Sequence, residues 1–410
     1  MKEILTFDKS FWIALTIFII VIACICFLPF WLTKPGLQDF TNTGEIGDTI
    51  GGIMGPFVAI GVGVLTFFAF WVQFKANEQQ KSYLRKQSKE FKFERLETRL
   101  FEMIKWHRDN VSELIYANYS FRRNTKGEFV PKEIVHTSKK VFNLIFEEFE
   151  KLYNEINPFF PINSDEIYNK EYKSSLLKNK LFLNRNINLI ERAKIDIVYT
   201  MLFFGLSREG INSIKHFFKN RYQTEICEFI ILAAQIKPSP ISVYWERWQN
   251  FIKLSFEDRM QVISDWNYIF QRGDIYLGEE ASSKSFLFKD LFRSNFVKFY
   301  GGHQFRLAHY FTHLFHIVAY IHNSKILTSN SKKEYIKLLR AQLSTYEQII
   351  FFLHTVSGLG KAWELETNED SSIPVAGELI TTYKLIKNIT GDVIMGDIKV
   401  SDFYPDWRNI

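Results

Sequence analysis

Two uninterrupted apolar runs open the chain, Phe11 to Leu32 and Ile50 to Phe74, with 22 and 25 residues and no charge. At about 1.5 Å of rise per residue, either run is long enough as a helix to cross a ~30 Å hydrocarbon core. One Lys or Asp near the centre of such a helix costs about 3 kcal/mol. Two long charge-free runs beside an otherwise polar chain therefore predict transmembrane helices over 11–32 and 50–74 rather than a buried soluble hairpin. From Lys75 the period changes. Phe93, Leu96, Leu100, Ile104, His107, Val111 and Leu114 recur at spacings of three and four. That stripe predicts a helical stalk over 75–116, or a helix packed along the main domain. Further helical stretches are expected over 132–157, 186–218, 222–235, 256–271, 304–323, 332–357 and 375–389. Breaks fall at Asn124 to Pro131, Asn157 to Asp165, Lys237 to Pro240 and Gly273 to Lys284. The expected class is all-α: a transmembrane hairpin over 1–74, the stalk, and a multi-helix cytoplasmic domain over 117–410.

Composition supports this reading. Of 410 residues, 47% are hydrophobic and 41 are Phe, which is ample for a core, while 10 Pro and 20 Gly are too few for a many-turned β protein. The net charge of +6 permits a nucleic-acid partner without demanding one. Cys24, Cys26 and Cys227 form neither a disulfide framework nor a CxxC pair, in keeping with a reducing compartment for the main domain. The stretch Val21 to Cys24 loosely matches a lipoprotein cleavage box. The apolar run continues past it through Phe27, Leu28, Phe30 and Trp31, so an uncleaved anchor is expected.

Flanking charge predicts orientation. The connecting loop holds Lys34 against Asp39, Glu45 and Asp48, whereas Lys75, Lys81, Arg85, Lys86, Lys89, Lys92, Arg95 and Arg99 follow the second run. Positive residues stay on the cytoplasmic side, which puts both termini inside, at the bacterial inner (cytoplasmic) membrane. Gly47, Gly51 and Gly55 repeat every four residues and clear one stripe of the second helix. A neighbouring helix can approach such a stripe closely, either the first helix of the hairpin or a second copy of the chain.

Candidate chemistry concentrates between His303 and His322, where five of the nine histidines lie. At helical pitch Leu307, Tyr310, Phe311, Leu314, Ile317, Val318 and Ile321 form one apolar arc, and Arg306, His309, His313 and His316 gather on another. Three readings are open. The three histidines suit a metal by spacing, but no carboxylate or cysteine completes the set and the fixed charge of Arg306 repels a cation. No metal or other cofactor is therefore expected, and the absence of a Gly-rich phosphate loop gives nucleotide binding no support. Alternatively Arg306 and His313, six residues apart, can act on RNA. The guanidinium then holds a phosphate, and the histidine moves a proton, with His309 beside it. This spacing resembles the R-x(4–6)-H motif of the HEPN ribonucleases, which are helical and generally dimeric. In the third reading these side chains only hydrogen-bond a neighbouring helix or subunit. In the following helix Leu339, Leu343, Tyr346, Ile350 and Leu353 are expected to be buried, with Arg340, Glu347 and His354 repeating every seven residues on another face. Glu347 is a candidate to pair with Arg340 or orient a histidine, and Arg340, Glu347 and His316 are assigned structural or orienting roles.

Three blocks also carry a family resemblance. They are Gly47 to Phe57, His309 to Val318, and Leu338 to Glu347. Together they resemble the phage abortive infection protein family, the AbiC-like group. The resemblance implies a membrane-anchored antiphage effector that halts host growth on infection. Relatives more often carry an arginine where this chain has Thr312, so Arg306 would have to take that part here. The partners expected are the membrane, further copies of the chain, RNA, and a phage-derived trigger. Two functions follow: a ribonuclease effector using Arg306 and His313, or a non-enzymatic effector that perturbs the membrane through its glycine-lined hairpin.

Overall fold

The computed structural model describes residues 43–123, 129–178, 187–238, 242–272, 283–293, 301–363 and 379–407, together with positions 12, 16, 18–20, 22–24, 27 and 185. Most of the first expected transmembrane helix and of its connecting loop lies outside the described residues. The chain divides into two compact units, Met1–Leu96 and Glu97–Ile410. The boundary falls inside one helix, α1 (Thr43–Ser112).

In the first unit, α1 contains the one stretch among the described residues long and apolar enough to cross a membrane. Val58, Ile60, Val62, Phe67 and Phe70 on it are all exposed. The Thr66 hydroxyl donates to the Val62 carbonyl at 2.8 Å, so even its polar side chain turns back onto the backbone. Phe18 meets Phe68 edge to face, with ring centroids 6.4 Å apart.

The second unit is mostly helical. Its share of α1 is not a free stalk, since Leu100, His107 and Val111 are buried. It is also not all helix. Ile115–Arg123 (β1) and Phe129–Thr137 (β2) form an antiparallel hairpin in the register Ile115↔Thr137 to Arg123↔Phe129. Helix had been expected to begin at 132. It starts instead at α2 (Lys140–Ile156), after Ser138 turns the chain with φ 59°. Isoleucine, valine and aromatic residues on both strands favour a pleated ribbon over a helix here.

Four helices build the core: α2, α3 (Leu189–Phe204), α7 (Gln304–Asn323) and α9 (Thr345–Val356). Between α3 and α7 run α4 (Arg208–Phe218), α5 (Thr224–Ile236) and α6 (Phe256–Arg272), and α8 (Ser329–Gln342) precedes α9. Helix α3 is the hub and touches α2, α4, α7 and α9. Phe142, Ile145, Phe149, Leu152, Ile197, Val198, Leu314, Ile350 and Leu353 are fully or almost fully buried among them. A small hairpin of β3 (Val393–Met395) and β4 (Ile398–Lys399) lies near the C-terminus.

Capping explains where two expected helices split. The 186–218 stretch breaks at Gly205, whose φ of 79° closes α3, and the Ser207 hydroxyl then caps α4 by accepting from the Gly210 N–H. The 332–357 stretch breaks at Ser344. There the Ser344 hydroxyl accepts from the Glu347 N–H while the Glu347 carboxylate accepts from the Ser344 N–H, a reciprocal capping box that starts α9.

Candidate functional site

Helix α7 begins where two glycines let two backbones touch. Gly302, at φ 56°, sits so close to the end of α3 that an added Cβ would lie 2.5 Å from the Gly205 nitrogen and the Phe204 carbonyl carbon. The His303 N–H donates to the Phe203 carbonyl at 2.8 Å, which fixes the first turn of α7 against α3. Gly302→Ala combines a left-handed conformation with a backbone overlap. It is expected to destabilise the protein by about 3 kcal/mol. Thermal unfolding of the full chain checks this, and an unchanged melting temperature would contradict the close approach.

From that anchor the apolar arc of α7 faces the core as the periodicity requires. Leu307, Tyr310, Phe311, Leu314, Ile317, Val318 and Ile321 are all buried. The other arc lines a cleft of about 380 Å³, formed by Arg306, His309, Thr312, His313 and His316 with Asn110, Glu113, Leu114 and Phe305. His309 and His316 are exposed, whereas Arg306 and His313 are half-buried. Thr312 shares this lining.

His313 stacks on His107 of α1, ring centroids 5.8 Å apart and planes 4° from parallel. His107 is 2% exposed, and neither of its nitrogens finds a hydrogen-bond partner among the described residues. Burial, then the charges of His313 and Lys139, push its pKa down to about 4. His313 is lowered too, by burial first and then by His316. Both rings are thus held neutral near pH 7, the form that accepts a proton.

Arg306 is gripped rather than free. Its Nε donates to the Ile115 carbonyl at 2.9 Å, and its Nη1 lies 3.4 Å from His303 Nδ1. The guanidinium covers the Phe305 ring at 4.1 Å and the Tyr116 ring at 4.8 Å. On its far side a second cleft of about 210 Å³ is lined by Tyr116, Glu148, Leu202, Gly301, Gly302 and His303, with Phe305 and Arg306 forming the shared wall. Glu148 accepts from the Tyr116 hydroxyl and pairs with His303 Nε2 at 2.8 Å. Burial would raise the Glu148 pKa, but the hydrogen bonds from His303 and Tyr116 and the nearby Lys151 outweigh it and hold the carboxyl below its usual value.

The orienting residues bind elsewhere than the heptad spacing implied. Glu347, 1% exposed, serves the capping box, accepts from the Tyr310 hydroxyl at 3.3 Å and lies 3.9 Å from Lys139 Nζ. Arg340 donates to the Lys384 carbonyl at 2.9 Å. His354 is buried against Phe311, with ring centroids 4.0 Å apart, and burial pushes its pKa down to about 3. Leu339, Leu343, Ile350 and Leu353 are buried as expected, but Tyr346 is 40% exposed. On α1, a side chain at Gly47, Gly51 or Gly55 would meet no atom within 4 Å. Glu148 and Tyr116 were missed, and His107 was read only as part of the α1 stripe, because their partners are remote in sequence. His303 carried a signal, the glycine pair before it. No three His, Cys, Asp or Glu side chains converge to hold a metal among the described residues.

Fold and site thus define a mostly helical protein with a histidine-lined cleft and, among the described residues, one helix apolar enough to cross a membrane. Residues 302–393 match the model of the family described as "Putative phage abortive infection protein". The matched segment holds Arg306, the histidine arc and the capping box, and covers about a fifth of the 410 residues. Comparison with curated proteins and with solved structures returned no match.

Proposed function

We propose that the protein is a membrane-anchored abortive infection effector whose cytoplasmic helical domain cleaves RNA at the cleft under α7. One observation carries this reading. Arg306, His309, His313 and His316 line a single open cleft, with the His313 ring kept neutral by burial. In the step proposed, Arg306 holds the phosphate and His313 takes the 2′-hydroxyl proton. The 2′-oxygen attacks phosphorus, the P–O5′ bond breaks, and the departing oxygen takes a proton from His309 or water. The products are a 2′,3′-cyclic phosphate and a 5′-hydroxyl end. The match over 302–393 supports the defence role. The exposed apolar face of α1 and the Phe18–Phe68 ring contact support a transmembrane hairpin over 11–32 and 50–74, its basic flank inward at the inner membrane. A phage-derived component triggers it, and copies of the chain associate through the glycine stripe.

The test joins purified full-length protein, host RNA and infected cells. Arg306→Ala and His313→Ala are each expected to lower cleavage by about 100-fold or more and to remove phage protection. Protection retained by both variants discards the nuclease.

The uncovered Gly47, Gly51 and Gly55 favour a second reading, a non-enzymatic effector that re-packs its hairpin and depolarises the membrane. Loss of membrane potential on infection with intact RNA selects it. In that case a bulky residue at Gly51 or Gly55 abolishes protection while insertion persists.

A further inference from the structure

The wall shared by the two clefts is the Arg306 guanidinium with the Phe305 ring beneath it, and the smaller cleft is built around what holds the guanidinium. Arginine is rich in rotamers, and ordering an unheld one at a binding site costs up to about 2 kcal/mol. Here two groups hydrogen-bond Arg306 directly, and a third holds one of them. The Ile115 carbonyl, at the start of β1, takes its Nε–H at 2.9 Å. His303 presents Nδ1 to Nη1 at 3.4 Å. A guanidinium can only donate, so Nδ1 accepts and the ring proton sits on Nε2, which points at Glu148 at 2.8 Å. Glu148 comes from α2 and is itself fixed by the Tyr116 hydroxyl. The His303 backbone is pinned to α3 by its 2.8 Å bond to the Phe203 carbonyl. The chain carboxylate to imidazole to guanidinium is therefore anchored in α2, α3 and β1. It leaves Nη2 without a hydrogen-bond partner among the described residues.

We propose that Glu148 and His303 are positioning residues that hold the Arg306 guanidinium in the wall between the clefts, oriented to receive a phosphate oxygen. What Arg306 grips rests on the RNA reading above; how it is held does not. The carboxylate fixes the tautomer of His303, and that tautomer fixes the rotamer of Arg306, as outer partners orient the ligands of a metal site. The sequence gap of 155 residues between Glu148 and His303 hides the pair from any local motif.

The first measurement needs no RNA. Full-length protein in detergent is treated with phenylglyoxal, and arginine labelling is followed by peptide mass spectrometry, with Arg340 as internal reference. Glu148→Ala and His303→Ala are expected to raise the Arg306 labelling rate several-fold relative to Arg340. Glu148→Gln, whose amide oxygen still accepts from His303 Nε2–H, stays near the wild-type rate. His303→Phe keeps a ring in place while removing both nitrogens, and it carries the test should Glu148→Ala not fold. Equal Arg306 rates in the wild type and the variants that lack the relay overturn the proposal, as does a Glu148→Gln rate as high as that of Glu148→Ala. A second measurement titrates an uncleavable 2′-O-methyl oligoribonucleotide. Arg306→Ala should weaken binding more than His303→Phe, with the double variant no weaker than Arg306→Ala, whereas independent additive losses overturn the relay. Absence of binding by the wild type discards the RNA reading, while the labelling rates still decide the positioning.

Discussion

Asp196→Ala is expected to cost about 3–5 kcal/mol, the range for removing one partner of a buried ionic cluster. Asp196 lies in the hub helix α3 with no exposed surface. One carboxylate oxygen accepts from the Gly358 N–H at 2.8 Å and the Thr200 hydroxyl at 3.4 Å. The other accepts from the Tyr222 hydroxyl at 2.5 Å and lies 3.8 Å from an Arg221 nitrogen. One side chain thus ties α3 to the turn after α9 and to the segment between α4 and α5. Alanine would strand a backbone N–H and the Tyr222 and Thr200 hydroxyls in the interior, and would remove the counter-charge beside Arg221. Chemical denaturation of the full chain reads the loss directly. A change under about 1 kcal/mol would mean that water or another group satisfies those donors.

Acidification should weaken the fold well before the carboxylates titrate. His107 and His354 have pKa values pushed down to about 4 and about 3, in both cases by burial first. An unfolded histidine titrates near 6.5. Between that value and the folded ones the unfolded chain binds more protons, so stability is lost as pH falls and is fully present above about 6.5. Each ring contributes up to about 1.4 kcal/mol per pH unit within its window. The pH range from about 6.5 to 5 isolates the histidines, because ordinary carboxylates change charge below it. Denaturation midpoints across that range should fall steeply, and His107→Phe should flatten the slope by its own share. A level profile in the wild type would contradict the burial of both rings.

The second effect shows why the histidines resist assignment from pattern alone. His309, His313 and His316 look equivalent on a helical wheel, but His313 stacks on a ring brought by α1, whereas His316 meets its own chain neighbour Phe315 edge to face with centroids 6.3 Å apart. Whether a histidine is a solvated base, a stacked neutral ring or a core filler depends on what the opposite element brings. His354, placed on a polar stripe by its spacing, turns out to be stacked on Phe311 in the core.

Periodicity by itself determined the helical class, the extent of α7 and α5 to within a residue or two, the apolar arc from Leu307 to Ile321, and a stretch apolar enough for a membrane. These are local properties: side-chain burial at helical pitch is encoded within a few turns of chain. The capping box at Ser344 and Glu347 was equally local, yet outweighed by a longer apolar rhythm that reads through it, as was the second half of β2, read as the start of a helix. Only the tertiary structure decided that Glu148 reaches His303, that Arg306 closes on Ile115 and Tyr116, and that Glu347 serves Tyr310 rather than Arg340. Those partners come from separate elements of the fold, and their spacing in the chain carries no signal. The geometry arises when α2, α3, α7 and α9 close on a shared core, since close packing of that core sets which polar groups meet at its edge.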